Sequence, residues 1–127
     1  MLRDILLVFI GGGAGCVGRY GISLWIKRFS ENLQGFPVHT FVANIVGCLI
    51  IGLLMGFLSK HPNQMVSMLL VTGFCGGFTT FSTFSLEGFN LIKTGQYGMA
   101  TLYIVLSLCV CLISIGLGLL LAKFIES

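Results

Sequence analysis

As chemistry, the most unusual stretch of this sequence is Gly73-Phe74-Cys75-Gly76-Gly77-Phe78-Thr79-Thr80-Phe81-Ser82-Thr83-Phe84-Ser85. Two adjacent glycines lead into five hydroxyl residues within seven positions, all inside an otherwise apolar region. Glycine weakens a helix, and Ser and Thr hydroxyls compete for its backbone hydrogen bonds. Irregular backbone at membrane depth is tolerated inside protein or beside a wet cavity, where freed carbonyls take cations and helix N-termini take anions. The competing reading is a kinked helix whose hydroxyls bond their own i−4 carbonyls. Phe78, Phe81 and Phe84 recur every three residues and are expected near one helix face. Such rings usually only pack. An aromatic rim is nevertheless electropositive and can face an anion that has lost its water, with hydroxyls of Thr80, Ser82, Thr83 or Ser85 donating alongside. A small, hard anion is costly to dehydrate, so many weak donors in series suit conduction better than one tight site.

Other polar residues interrupt apolar runs. Asn44 stands among Ile, Val and Ala, where an unpaired amide is expensive. Tyr103, Ser107, Cys111 and Ser114 follow i, i+4, i+4, i+3 and form one stripe, either structural or part of a polar track. Arg19 is the deepest basic residue, and it either draws anions into a vestibule or snorkels to the interface near Trp25. Carboxylates avoid the middle of every apolar run: Asp4 and Glu126 are terminal, Glu31 is in a connector, and Glu87 is near a span end. Proton-coupled transport usually rests on a buried acid or histidine, and neither is well placed. With no phosphate loop, no nucleophile beside a base and no metal-ligand spacing, the sequence argues against an enzyme.

The elements that position these residues must be membrane helices. Of 127 residues 56% are hydrophobic and 9% charged, with mean hydropathy +1.03; soluble domains carry about 25% charged residues. A net charge of +3, scattered, makes no nucleic-acid surface. A spanning helix takes about 20 apolar residues, and four stretches qualify: Ile5–Ile26, His39–Leu58, Met65–Phe89 and Tyr97–Ala122. Lys27–Pro37, Ser59–Asn63 and Asn90–Gln96 connect them, so the chain reads as one four-helix domain. The first run has features of a signal peptide, but three further spans follow and it reads as a retained helix. Cys16, Cys48, Cys75, Cys109 and Cys111 all lie in apolar runs and read as free thiols. Near the helix ends, Arg3, Lys60 and Lys123 on one side balance Lys27, Arg28 and Lys93 on the other. That leaves the positive-inside rule without a preference: orientation rests on other details, or both orientations insert and pair. Glycines at four-residue spacing, Gly11/Gly15, Gly52/Gly56 and Gly73/Gly77, allow close helix approach within the chain or between two copies.

The run Gly73–Ser85 resembles the signature of the Fluc/CrcB fluoride channels. Gly11-Gly12, Gly15 and Arg19-Tyr20 are similar to that family's GGxxGAxxRY, and Thr40, Asn44 and Gly47-Cys48 to its GTLxVNxxG. The resemblance covers essentially the whole chain. It implies an all-α protein of the bacterial cytoplasmic (inner) membrane, its third helix broken near Gly76–Thr80, forming an antiparallel, dual-topology homodimer. Such a dimer would export fluoride passively through two pores. Phe81 and Phe84 would flank the ions, Asn44 would donate in the pore, and Tyr103 and Ser107 would continue the polar track. Arg19 and Thr40 would belong to the vestibule, with Glu87 near a pore end above the hydroxyls of Ser82 and Thr83; Thr80 is a further pore donor. Backbone carbonyls of Gly76 and Thr79 from both subunits would hold a structural, non-transported sodium ion. Three residues depart from the family pattern: Cys16 stands for Ala, His39 for Gly at a pore mouth, and Cys111 for the lower Ser of the track. Protonation of His39 is expected to alter ion access. A dual-topology small multidrug-type exporter shares the size and charge balance, but it would carry a first-span glutamate where Arg19 stands. A structural membrane subunit would leave the hydroxyl-rich run without a purpose.

Overall fold

The computed structural model describes residues 1–29 and 37–126. The expected connector Lys27–Pro37, with Glu31, lies mostly outside them. The described residues form α1 (Leu2–Phe29), α2 (Val38–Lys60), α3 (Gln64–Val66), a π-helix (Ser67–Cys75), α4 (Gly76–Phe78), α5 (Ser82–Lys93) and α6 (Tyr97–Glu126). Among the described residues, four segments are long and apolar enough to cross a membrane: 2–28, 38–60, 64–93 and 97–125. Only 11–17% of each span's apolar window is buried within the chain, so most of the apolar surface requires lipid or protein around it.

Helices run past the apolar stretches that betray them, because terminal Lys, Arg and Ser can reach water from a helical backbone. Thus Lys27–Phe29, Ser59–Lys60 and Asn90–Lys93 are helical rather than connecting. The turn after α5 closes as a Schellman motif: Gly95 takes φ 83°, its N–H donates to Ile92 (3.1 Å), and Gln96 N–H donates to Leu91 (2.9 Å). At the start of α3, the Asn63 side chain accepts the Val66 N–H (3.2 Å), with Pro62 just before it.

The helices pack in two glycine-cushioned pairs. α1 lies along the π-helix and α4, where a Cβ on Gly11 or Gly15 would meet the Leu69 or Phe74 carbonyl and one on Gly77 would meet the carbonyl of Gly12. α2 lies along α6, where a Cβ on Gly52 would meet Ile115 and Gly118, and one on Gly56 would meet Ala122. Close backbone approach of this kind is how helices associate without a hydrophobic drive. The buried cluster Phe84, Leu91, Ala100 and Tyr103 joins α5 to α6, with Phe41, Met99 and Ile104 against it. The π-helix has no counterpart in the sequence reading; nothing in Ser67-Met68-Leu69-Leu70-Val71 marks an i→i+5 ladder.

Candidate functional site

Between α4 and α5 the backbone leaves the helix. Thr79 is extended (φ −84°, ψ 158°), and α5 starts again at Ser82. Gly76–Phe78, inside the stretch expected to be irregular, make a helical turn, so the non-helical residues are Thr79–Phe81.

Side chains from two other helices fill the places of the missing backbone bonds. The Asn44 amide accepts from Thr80 N–H (2.9 Å) and donates to Thr80 C=O (3.3 Å). Thr83 N–H donates to Thr80 Oγ1 (3.2 Å), capping α5. Arg19 Nε donates to the Gly77 carbonyl (3.3 Å), and Thr79 Oγ1 donates to the Cys75 carbonyl (2.8 Å). A continuous helix would have joined Thr80 N–H to the Gly76 carbonyl and Thr83 N–H to the Thr79 carbonyl. Both donors are engaged elsewhere, which releases the Gly76 and Thr79 carbonyls from i→i−4 bonding. Gly76 itself is exposed, with open space where a Cβ would stand.

Beside this interruption, α2, α5 and α6 line an open groove of about 200 Å³ whose walls include Asn44, Cys48, Thr80, Phe81, Phe84, Ser107 and Cys111. α2 contributes about one lining residue per turn, Asn44, Cys48 and Ile51. Asn44, Phe84 and Ser107 line the groove from α2, α5 and α6 respectively. Ser107 is 4% exposed, and its hydroxyl has no hydrogen-bond partner among the described residues. On one side Cys48 and Cys111 bring their thiols together. On the other, Tyr103 is fully buried; its phenol donates to Glu87 Oε1 (3.3 Å), with the Thr40 hydroxyl in reach. Glu87 Oε2 lies 3.2 Å from His39 Nε2.

The two rings that line the groove differ. Phe84 is 8% exposed and tilts against Tyr103 (centroids 5.1 Å), while Phe81 is 75% exposed and meets only the edge of this cluster through Phe84 (5.9 Å). Phe78 does not share their face as its spacing predicted. The extended backbone at Thr79 separates it from them, and it stacks on Phe74 (5.6 Å) against Gly18 and Gly47.

Other expected residues sit as follows. Arg19 reaches the interruption from α1 and does not line the groove. Thr40 is buried beside Tyr103. Ser82 is exposed and Thr83 half-buried. Ser114 turns its hydroxyl onto the Val110 carbonyl of its own helix (2.8 Å), a structural role. His39 as the partner of Glu87 was not foreseen. The signal existed only as a histidine at a span start, and pairing across helices has no local sequence pattern.

The sequence matches the model of a family described as CrcB-like protein, Camphor Resistance (CrcB), over residues 6–119. A protein of Azobacteroides pseudotrichonymphae named fluoride-specific ion channel FluC is 44% identical, the alignment covering 98% of this chain and 99% of that protein. Proteins of the same name from Flavobacterium psychrophilum and Coxiella burnetii are each 42% identical over at least 94% of this chain and 98% of their own length.

Proposed function

The chain belongs to the CrcB-like family, and on that premise we propose that it is a fluoride-specific ion channel of the bacterial cytoplasmic membrane, passing the ion passively down its gradient. The observation that carries this reading is the groove beside the interrupted helix. Its walls offer aromatic rims at Phe81 and Phe84, and the buried Ser107 hydroxyl is left over for a ligand. A dehydrated fluoride needs hydrogen-bond donors, and ring edges supply weak ones without trapping the ion. Apolar walls hold no fixed cation that would bind it tightly. Thr80, Asn44 and Tyr103 have polar atoms close to the same path, but each already has a partner, so they shape the path more than they solvate the ion.

The groove is open on one side, and the wide apolar outer surface of the chain calls for a cover. A second copy inserted in the opposite sense, as the balanced Lys and Arg of the two ends permit, would supply it and complete two pores per homodimer. The carbonyls of Gly76 and Thr79, released by Asn44 and by the Thr80 hydroxyl, fit a hard cation. Gly76 is open to an approaching partner, so two copies would hold a structural sodium ion between them with four carbonyl oxygens. The bound ion would supply positive charge at the helix interruption and tie the copies together.

Purified protein in liposomes tests the reading with a fluoride electrode. Rapid efflux is expected once potassium permeability collapses the opposing voltage, with chloride hardly moving. Chloride flux of equal size, or obligatory exchange for protons, would sink it. Reporters active on opposite sides of the membrane, fused to the C-terminus, test dual topology: both are expected to be active.

A further inference from the structure

We propose that His39 sets the charge of the anion path at Glu87, so that conduction rises as the imidazole takes up a proton. This rests on the fluoride-conducting reading above. The Glu87 carboxylate lies outside the groove lining and is linked to it through Tyr103, one turn along α6 from Ser107. One of its oxygens accepts the phenol proton (3.3 Å), and the other faces His39 Nε2 (3.2 Å). Both side chains of the pair are partly exposed, and in this proposal the anion path runs on from Ser107 past them.

A neutral imidazole can donate its Nε2–H to the carboxylate but leaves the full negative charge in place, and that charge repels a fluoride ion. An imidazolium makes the pair neutral. The interaction is strong at this range because the site is partly screened from water. The neighbouring elements are accounted for as follows. From α2 comes His39, and from α5 Glu87 itself, with Lys93 closing that helix. From α6 comes Tyr103, with Cys111 two turns away. α1 carries Lys27 and Arg28 in its last turn. The lysines and the arginine add positive charge at the helix ends. His39 is therefore the group whose protonation would change the charge facing Glu87.

The test is fluoride efflux from liposomes held at the same pH inside and out, so that orientation does not matter, after subtracting the hydrogen fluoride leak of protein-free vesicles. The unaltered protein is expected to conduct about tenfold faster in mild acid than in mild alkali at low ionic strength, and less so in high salt. His39→Gln keeps a donor but cannot be charged, and it should stay at the slow rate throughout. His39→Lys carries a permanent cation and should be fast and flat, as should Glu87→Gln, which removes the charge to be offset. A His39→Gln profile that still rises on acidification overturns the proposal, as does a slow His39→Lys protein that is monodisperse in detergent. Absence of any fluoride flux in the unaltered protein would instead remove the conduction reading beneath it.

Discussion

The side-chain amide of Asn44 pairs with both backbone groups of Thr80, accepting from its N–H at 2.9 Å and donating to its carbonyl at 3.3 Å. One residue on α2 thus takes the place of a turn of helix on another element, engaging the Thr80 N–H that a continuous helix would have given to the Gly76 carbonyl. Asn44→Ala should leave both Thr80 groups unpaired in a poorly hydrated place, at about 1–3 kcal/mol each. Thermal unfolding in detergent, followed through the single tryptophan, is expected to move down by several degrees, with fluoride flux lost. Asn44→Asp keeps the acceptor but loses the donor and adds a charge beside the groove; it should fold better than the alanine variant and still fail to conduct. Unaltered flux in Asn44→Ala would show that the pairing is dispensable.

The glycine contacts predict a sharp contrast between two positions of α6. Gly118→Ala drives a Cβ against the backbone of α2, where Gly52 and Leu53 cannot give way as a flexible side chain would. Its cost should reach the range of overpacked cores, about 1–3 kcal/mol or more. Gly98→Ala, in the first turn of α6 with open space around it, should be neutral or stabilise the helix by up to about 1 kcal/mol. Melting temperatures of the two purified variants check the pair.

Much of this was legible in the sequence because a membrane imposes simple rules. Apolar runs long enough to span gave four helices, whereas the irregular stretch expected at Gly76–Thr80 coincides with the non-helical residues Thr79–Phe81 only at Thr79 and Thr80. The residues that complete the site were less legible, for a physical reason. Asn44 announced itself as a polar residue needing a partner, but the sequence did not say that the partner was the backbone of Thr80. Phe78 was placed with Phe81 and Phe84 because period-three reasoning assumes an unbroken helix, and extended Thr79 cancels that assumption. His39 and Glu87 stand 48 positions apart, and only the packing of α2 beside α5 and α6 brings them to 3.2 Å.

The two groove phenylalanines should separate stability from conduction. Phe84 is wedged against Tyr103, so Phe84→Ile removes ring contacts in the buried cluster and should lower the melting temperature as well as the flux. Phe81 is largely exposed and contributes little packing within the chain. Phe81→Ile should therefore melt within a degree or two of the unaltered protein while fluoride efflux falls by at least about tenfold, a barrier increase of roughly 1.4 kcal/mol. Equal loss of stability and flux in both variants would reduce Phe81 to a packing residue.

Ser107 gives the most discriminating test, because its hydroxyl is buried and lacks a partner among the described residues. A buried polar group without a hydrogen bond costs stability, by about 1–3 kcal/mol on mutational scales. If the hydroxyl were merely structural, Ser107→Ala would be neutral or stabilising and nothing else would change. If it is held unpaired for a passing anion, the same substitution should keep or raise the melting temperature and yet slow fluoride efflux. Ser107→Thr restores the hydroxyl and should recover part of the flux, less whatever its extra methyl occludes in a groove of about 200 Å³. Efflux and melting curves on the same three proteins decide it: a stable Ser107→Ala channel conducting at the full rate would remove Ser107 from the fluoride path.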